Sequence, residues 1–247
     1  MPILNDTDLD QITLPNSHYG YSATRLEELG ATEYTVVTIV CDVSGSTAPF
    51  TFDMEAAVTQ IVQACKLSPR ADNLLLRLVA FDDTLAEIHG FKLLENCHLA
   101  DYGGALRSGG ATALYDAAEN AVASTINYGQ KLSAGDFSAN AILFVITDGM
   151  DNASRLPAKK VKEALEKAVT SEALESVVSV LIGVNVKDPE ASRYLRQFHH
   201  DAGFTQYVEL DKADARTLAR LAEFVSQSIS AQSQALGTGG ASKPLVF

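Results

Sequence analysis

The chain has 247 residues and a net charge of -12, from 31 acidic and 19 basic side chains. Hydrophobic residues make up 47% and charged residues 20%, which is ordinary for a globular chain and argues against wholesale disorder. The acidity disfavours nucleic acid, whose partners carry clustered Lys and Arg, and it disfavours anionic membrane surfaces. We therefore expect neither nucleic acid nor a membrane as a partner.

Cysteine content and the first residues bear on the cellular compartment. The chain has three cysteines, and a small odd number fits a reduced compartment better than a disulfide framework. The polar, acidic first ten residues lack the basic start and apolar centre of a secretory signal. No apolar stretch approaches the ~20 residues that a spanning helix needs. The resulting expectation is a cytoplasmic, bacterial-type protein.

Short apolar runs rich in β-branched residues recur along the chain and alternate with segments of helical periodicity. Such runs are typical of strands covered on both faces by helices. A shorter run at 85–88 follows its predecessor too closely for a helical crossover, so we place it as an antiparallel edge strand. A last short strand is predicted at 206–210. The four long runs span residues 35–41, 74–80, 141–147 and 177–183.

This pattern predicts an α/β fold with a doubly wound, Rossmann-like sheet. We expect six mostly parallel strands with one antiparallel edge strand, and helices on both faces. The chain divides into an N-terminal polar arm (1–33), one domain (34–230) and a flexible C-terminal tail (231–247) rich in Gly, Ser and Gln. The last helical stripe is predicted from Leu218 to Ile229.

Polar residues follow the buried strands at the end of the sheet where doubly wound folds bind ligands. Asp42, Ser44 and Ser46 follow the first run, Asp148 follows the third, and Thr112 precedes the second helix. Carboxylates and hydroxyls are hard donors that suit Mg²⁺ or Mn²⁺ and suit zinc poorly. Two carboxylates at most neutralise the ion, so a carboxylate of another molecule is an attractive last ligand. Taken alone, the loop with Asp42, Ser44 and Ser46 could instead be a capped turn with no metal.

Three segments together resemble the metal-ion-dependent adhesion site (MIDAS) of von Willebrand factor type A domains. They are Asp42-Val-Ser-Gly-Ser46, Gly110-Ala-Thr112-Ala-Leu-Tyr-Asp116 and Ile146-Thr-Asp148-Gly149. The resemblance covers about residues 34–228 and is strongest for stand-alone intracellular bacterial members, some of which work beside AAA+ ATPases.

The resemblance implies a von Willebrand factor type A fold and a set of metal ligands for Mg²⁺ (or Mn²⁺). Hydroxyl ligands would come from two serines and a threonine, while the two aspartates act directly or through water. A Glu or Asp carboxylate of a protein partner would complete the coordination. The implied metal residues are Asp42, Ser44, Ser46, Thr112 and Asp148.

Four residues near these loops are candidates for supporting the metal ligands or contacting a partner. Asp116 either supports the metal loops or interacts favourably with the dipole of its helix, and both alternatives stay open. Thr47 and Tyr115 are candidates to line the rim beside the metal. Asp151, with Asn152, either shapes this rim or belongs to a solvated turn.

A complete oxygen site without catalytic apparatus predicts a non-catalytic, divalent-metal-dependent protein–protein interaction module. We expect it to act in a bacterial intracellular complex, in stress response, beside an AAA+ ATPase or in defence, and not as an enzyme. One alternative is a Mg²⁺-dependent phosphohydrolase, which would need a general base and a phosphate-binding cation that are not evident. The other is a self-assembling scaffold subunit that uses its apolar C-terminal residues, Leu245 to Phe247.

Overall fold

Residues 9–15, 19–240 and 244–247 are described by the computed structural model, and they form one sheet between two layers of helices. No helix in this part of the chain is long and apolar enough to cross a membrane. The strands are β1 Leu9–Ile12, β2 Tyr21–Thr24, β3 Glu33–Asp42, β4 Leu74–Phe81, β5 Leu85–Leu93, β6 Ser138–Thr147, β7 Val177–Gly183 and β8 Gln206–Glu209. The helices are α1 Thr51–Lys66, α2 Leu114–Ala134, α3 Ala158–Thr170, α4 Pro189–Ala202 and α5 Ala215–Thr238.

The strand order is β1-β2-β5-β4-β3-β6-β7-β8. Strands β4, β3, β6, β7 and β8 are parallel, with Thr35 of β3 opposite Leu74 of β4 and Asn140 of β6. Strand β5 is antiparallel to β4. The predicted fold class, a mostly parallel α/β sheet with antiparallel pairing on one side, is therefore confirmed.

The sheet has eight strands rather than the predicted six, because residues of the N-terminal arm add β1 and β2. Strand β2 pairs in parallel with β5 at Ala23 and Phe91, so β5 is not outermost in the sheet. The rings of Tyr21 and Phe91 lie 5.7 Å apart, and that of Phe91 stacks on Tyr128 at 5.0 Å. This aromatic cluster buries β2, which short apolar patches in a polar sequence did not indicate. Residues 1–8 and 16–18 of the predicted arm lie outside the described residues.

A buried arginine joins the N-terminal strands to the rest of the fold. Arg77 on β4 is 1% exposed, and its Nε donates to Glu87 at 2.6 Å. Its other nitrogens donate to Ser124 at 2.7 Å and Asn120 at 3.0 Å, both on α2. Glu87 in turn accepts a 2.6 Å hydrogen bond from the hydroxyl of Ser22. One ionic group thus connects β2, β4, β5 and α2.

Alternate residues of the central strands face opposite helical layers, as the period of a strand requires. Ile39 and Cys41 of β3 face the cluster that contains α1 and α5. Val40 faces the cluster that contains α2, α3 and α4. The prediction of helices on both faces is confirmed, and both layers place their connecting loops around the carboxyl ends of the parallel strands.

Helix α5 is longer than predicted and takes in part of the segment assigned to a flexible tail. It continues past Ile229 to Thr238, and Gly239 ends it in the left-handed region at φ 64°. Buried Gln232 explains the extension. Its side-chain Nε2 donates to the backbone carbonyl of Ala141 at 3.0 Å, and its backbone carbonyl accepts from the side chain of Asn140 at 2.8 Å. The tail therefore does not begin at residue 231. Its residues 241–243 lie outside the described residues, and 244–247 contact α5 again.

Candidate metal centre

The carboxyl ends of β3 and β6 bring three oxygen groups into contact at the edge of the sheet. Ser44 Oγ lies 3.1 Å from Ser46 Oγ, and Ser46 Oγ donates to Asp148 Oδ1 at 2.9 Å. Ser44 is buried, Asp148 is half-buried and Ser46 is exposed. The cluster therefore opens to solvent on the side of Ser46.

Asp42 lies beneath this cluster at the last position of β3 and is 2% exposed. Its Oδ1 accepts the N–H of Ser44 at 2.8 Å, and its Oδ2 accepts the hydroxyl of Thr147 at 2.6 Å. The hydroxyl of Ser44 and the N–H of Asp148 also hydrogen-bond this carboxylate. Asp42 fixes the loop after β3 and joins it to the end of β6.

Backbone hydrogen bonds hold the segment that carries Thr112 against the loop after β3. The N–H of Gly109 donates to the carbonyl of Val43 at 2.8 Å, and the N–H of Gly45 donates to the carbonyl of Gly110 at 3.2 Å. Thr112 follows on this segment and is 5% exposed. The structure thus brings the second predicted motif beside the first.

Gly110 is required by its backbone and by its neighbours. Its φ of 65° lies in the left-handed region, which costs non-glycine residues energy. A Cβ at this position would lie 2.5 Å from Oδ1 of Asp83 and 3.0 Å from Oδ2 of Asp82. A side chain would therefore collide with the carboxylates of the turn after β4 and displace them or the segment itself.

The loop after β6 supports both the Thr112 segment and the start of α2. Asn152 accepts the N–H of Thr112 at 2.7 Å through its side chain. Ser154 Oγ accepts the N–H groups of Tyr115 at 3.0 Å and Asp116 at 3.1 Å, so it caps α2 from a distant loop. Asn152 shapes the rim, one of the two alternatives open from the sequence.

Asp116 anchors the same loop from the helix side. It is 4% exposed, and its carboxylate accepts the N–H of Arg155 at 3.1 Å and that of Leu156 at 2.9 Å. This contact fixes the loop that follows Asp148. Asp116 therefore supports the metal loops through backbone contacts, in addition to lying in the first turn of α2.

Thr47 faces inward rather than lining an open rim, and Tyr115 is half-buried. Thr47 is 2% exposed and donates to the carbonyl of Ser44 at 2.8 Å, so the expectation of direct partner contact is corrected to support of the serine loop. The hydroxyl of Tyr115 contacts that of Tyr194, and its ring lies 5.0 Å from Phe198 on α4. Tyr115 thus packs the start of α2 against α4.

Asp151 is half-buried beside this tyrosine pair. Its Oδ1 accepts the hydroxyl of Ser154, and its N–H donates to Tyr194 at 3.3 Å. These bonds give Asp151 a structural role in the rim. Its second carboxylate oxygen carries no hydrogen bond among those described.

Burial raises the pKa values of both aspartates at the centre. Burial raises the pKa of Asp42, against the opposing hydrogen bonds from Ser44 and Thr147. Burial and the charge of Asp42 raise the pKa of Asp148 to about 6. A cation bound between the two carboxylates would stabilise their ionised forms.

The spacing of the oxygens fits a small divalent ion. In octahedral Mg²⁺ coordination, with ligands at about 2.0–2.1 Å, neighbouring oxygens are about 3 Å apart. The separations of 3.1 and 2.9 Å along Ser44, Ser46 and Asp148 match this value. Within the described ranges no group of three or more His, Cys, Asp or Glu is placed to hold a metal, so a site here depends on the hydroxyls.

Two residues that organise the centre were not singled out from the sequence. Thr147 bonds Asp42, and its position directly before Asp148 was the available signal. Ser154 caps α2 from 38 residues away, and no local pattern predicts that contact. Both act on the metal loops through another residue, which motif spacing does not reveal.

Comparison with known proteins shows similarity in fold. No family model matches the sequence, and no curated protein matches it. The PilB minor pilin from Streptococcus sanguinis superposes with a TM-score of 0.59 at 15% identity, over 85% of this chain and 64% of that chain. The SpaC pilus adhesin from Lactobacillus rhamnosus GG gives 0.57 at 11% identity, over 94% of this chain and 36% of that chain.

A third similar structure is proximal thread matrix protein 1 from the mussel byssus, with a zinc-occupied MIDAS motif. Its TM-score is 0.56 at 20% identity, over 82% of this chain and 47% of that chain. At these identities the likeness shows the α/β fold alone. This chain spans between about a third and two thirds of the length of the three structures.

Proposed function

We propose that the chain is a von Willebrand factor type A domain that binds a divalent cation and, through it, an acidic residue of a protein partner. The observation that carries this proposal is the line of oxygens from Ser44 through Ser46 to Asp148, at the spacing of metal ligands and open to solvent. The mussel protein with a zinc-occupied MIDAS motif supports metal binding by such a fold. Hard oxygen donors favour Mg²⁺ or Mn²⁺ as the ion.

Each residue has a role in this proposal. Ser44, Ser46 and Thr112 offer hydroxyl oxygens, and Asp148 offers a carboxylate. Asp42 orients the loop through its bonds to Ser44 and Thr147, and it acts on the ion directly or through water. When bound, the cation supplies an electrophilic position for a carboxylate of the partner.

We further propose that the module is non-catalytic and acts in a bacterial intracellular complex, with an AAA+ ATPase or another complex subunit as the partner class. The groups around the centre are hydroxyls, carboxylates and the Asn152 amide, and their hydrogen bonds hold loops together, which supports binding rather than turnover. Two of the similar structures are pilus proteins, so partners are to be sought in envelope as well as cytoplasmic fractions.

Calorimetric titration with Mn²⁺ and Mg²⁺ tests the metal site directly. We expect saturable binding by the native chain and loss of binding in Asp148→Asn, which removes one charge and keeps the shape. Asp72→Asn is the matched control, because Asp72 is exposed at the amino end of β4, opposite the centre. Equal affinity in Asp148→Asn, or no binding of either ion, would refute the site.

Affinity capture then tests the interaction. Proteins retained by the native chain in Mg²⁺, released by EDTA and not retained by Asp148→Asn are the expected result. Capture that is indifferent to both EDTA and the substitution would contradict a metal-bridged contact.

A further inference from the structure

Residues 244–247, which we term the C-terminal strap, dock on helix α5 of the same chain. Leu245 packs against the core cluster that contains α1 and α5. The ring of Phe247 lies 5.5 Å from that of Phe224, edge to face, and the guanidinium of Arg220 lies 5.1 Å over the Phe247 ring. Val246 between them is 93% exposed, whereas Phe247 is 37% exposed and Leu245 is half-buried. The strap thus alternates inward and outward as an extended segment does.

The strap runs antiparallel to α5. Leu245 shares a crevice with Ser228, whereas Phe247 lies beside Phe224 and Arg220, one and two turns nearer the start of the helix. The floor of the crevice is formed by Ile142, Val178 and Val180 of β6 and β7. An apolar groove between α5 and the sheet is therefore filled by a short extended segment.

The strap satisfies the apolar part of this groove but not its polar part. Oε1 of Gln206 and Oγ of Ser228 line the crevice and are buried, and neither has a hydrogen-bond partner in the described part of the chain. Pro244 lines the same crevice and has no N–H to donate. Buried oxygens left without a partner cost free energy, so a segment with an N–H in place of Pro244 would bring a donor that the strap lacks.

The covalent tether compensates for the imperfect fit. Only residues 239–243 separate α5 from the strap. A short tether gives its segment an effective concentration on the order of mM, which keeps even a weakly bound segment docked. A free segment of higher intrinsic affinity can still displace it.

We propose that the groove between α5 and strands β6–β8 is a peptide-binding site that the strap blocks in cis. Its ligand is an extended partner segment with an apolar residue, an aromatic residue two positions later, and a backbone N–H where the strap has Pro244. The site is distinct from the metal centre, and this inference does not depend on the proposed function.

Anisotropy of labelled peptides binding to the full chain tests the proposal. The probes are a fluorescent peptide of residues 239–247 and the same peptide with Pro244→Ala. The strap is released in the full-length variant Leu245→Asp, Phe247→Asp, whose folding is checked by circular dichroism. We expect both peptides to bind this variant, and the alanine peptide to bind it more tightly. Both should bind the native chain more weakly, by about tenfold or by a larger factor, because the tethered strap competes.

A matched variant locates the binding surface. Adding Phe224→Ala to the released variant removes the ring that Phe247 contacts, and we expect it to weaken binding of both peptides. Absence of binding to the released variant, or equal binding to the released and native chains, would overturn the proposal. Because the chain has no tryptophan, Phe247→Trp gives an independent readout. Phe247 is 37% exposed when docked, so acrylamide should quench the emission less in the native background than when Leu245→Asp is added. Equal quenching in both would also overturn the proposal.

Discussion

The hydroxyl of Thr147 donates a 2.6 Å hydrogen bond to Oδ2 of Asp42, and this bond joins the ends of β3 and β6 beneath the candidate metal centre. Both residues are almost completely buried. The bond therefore sets the orientation of a carboxylate that solvent does not orient. Metal affinity should therefore depend on Thr147, although Thr147 is not itself a proposed ligand.

Thr147→Val keeps the shape and removes the hydroxyl. Loss of a group that orients a ligand costs about 10–100-fold in metal affinity, so we expect Mn²⁺ binding to weaken by about tenfold. Thr38→Val is the control, since Thr38 is buried on the same strand as Asp42 and its hydroxyl bonds only Thr125 at 2.8 Å among the contacts described. Calorimetry should show weaker binding for the first variant alone; equal affinities would contradict the orienting role.

Metal affinity should fall as the solution is acidified through pH 6. In the metal-free protein the pKa of Asp148 is about 6, raised by burial and by the charge of Asp42. A proton and a cation compete for this carboxylate, so Mn²⁺ binds more weakly at pH 5.5 than at pH 7.5. The slope should be smaller in Asp148→Asn if residual binding is measurable, and an unchanged affinity across this range would contradict the assignment.

Stability of the metal-free protein should show the opposite trend. The pKa of Asp148 is raised from 3.8 to about 6 on folding, so the folded chain takes up this proton more readily than the unfolded chain. The contribution to stability is fully present below 3.8 and is lost as the pH rises through 6. The difference in melting temperature between the EDTA-treated native chain and Asp148→Asn isolates the contribution of Asp148. If this difference does not change with pH, Asp148 makes no such contribution.

Ser154→Ala should destabilise the chain through the start of α2. The hydroxyl accepts two N–H groups of the first helical turn, and loss of a helix cap costs about 1 kcal/mol. Ser133→Ala, at an exposed position near the end of the same helix, should be close to neutral. Urea unfolding measures both, and equal midpoints would mean that the cap contributes nothing.

Arg77→Met should be the most disruptive of these substitutions. It leaves Glu87 without its cation in a partly buried place, and breaking such a pair costs about 3 kcal/mol or more. Adding Glu87→Gln removes the unpaired charge, so the double variant should recover part of the stability. A double variant no more stable than the single one would show that the ionic pair is not the source of the loss.

The parallel core of the fold could be predicted from the sequence because its strands are apolar on both faces. The runs at 35–41 and 141–147 lie within β3 and β6, where period and composition agree. Strand β2 was missed because its burial comes from Phe91 and Tyr128, which are distant in sequence. Helix α5 was predicted too short because Gln232 is polar, whereas the structure buries it with hydrogen bonds to Asn140 and Ala141 near the start of β6.

The members of the candidate site could be named from the sequence, but not their arrangement. Motif spacing placed Asp42, Ser44, Ser46 and Asp148 at one edge, and the structure brings their oxygens together. Motif spacing did not indicate that Thr47 points inward. Which side of a loop a hydroxyl faces depends on tertiary contacts, and sequence spacing contains no information about those.

The added strand β2 has a practical consequence for anyone shortening this protein. A chain begun at residue 34, where sequence motifs place the domain boundary, would lose the hydroxyl and N–H of Ser22 that bond Glu87. It would also uncover the aromatic face of Phe91 and the outer hydrogen-bonding groups of β5. Bare strand edges of this kind pair with other chains. Such a fragment should precipitate or self-associate, and studies of this domain should retain its first residues.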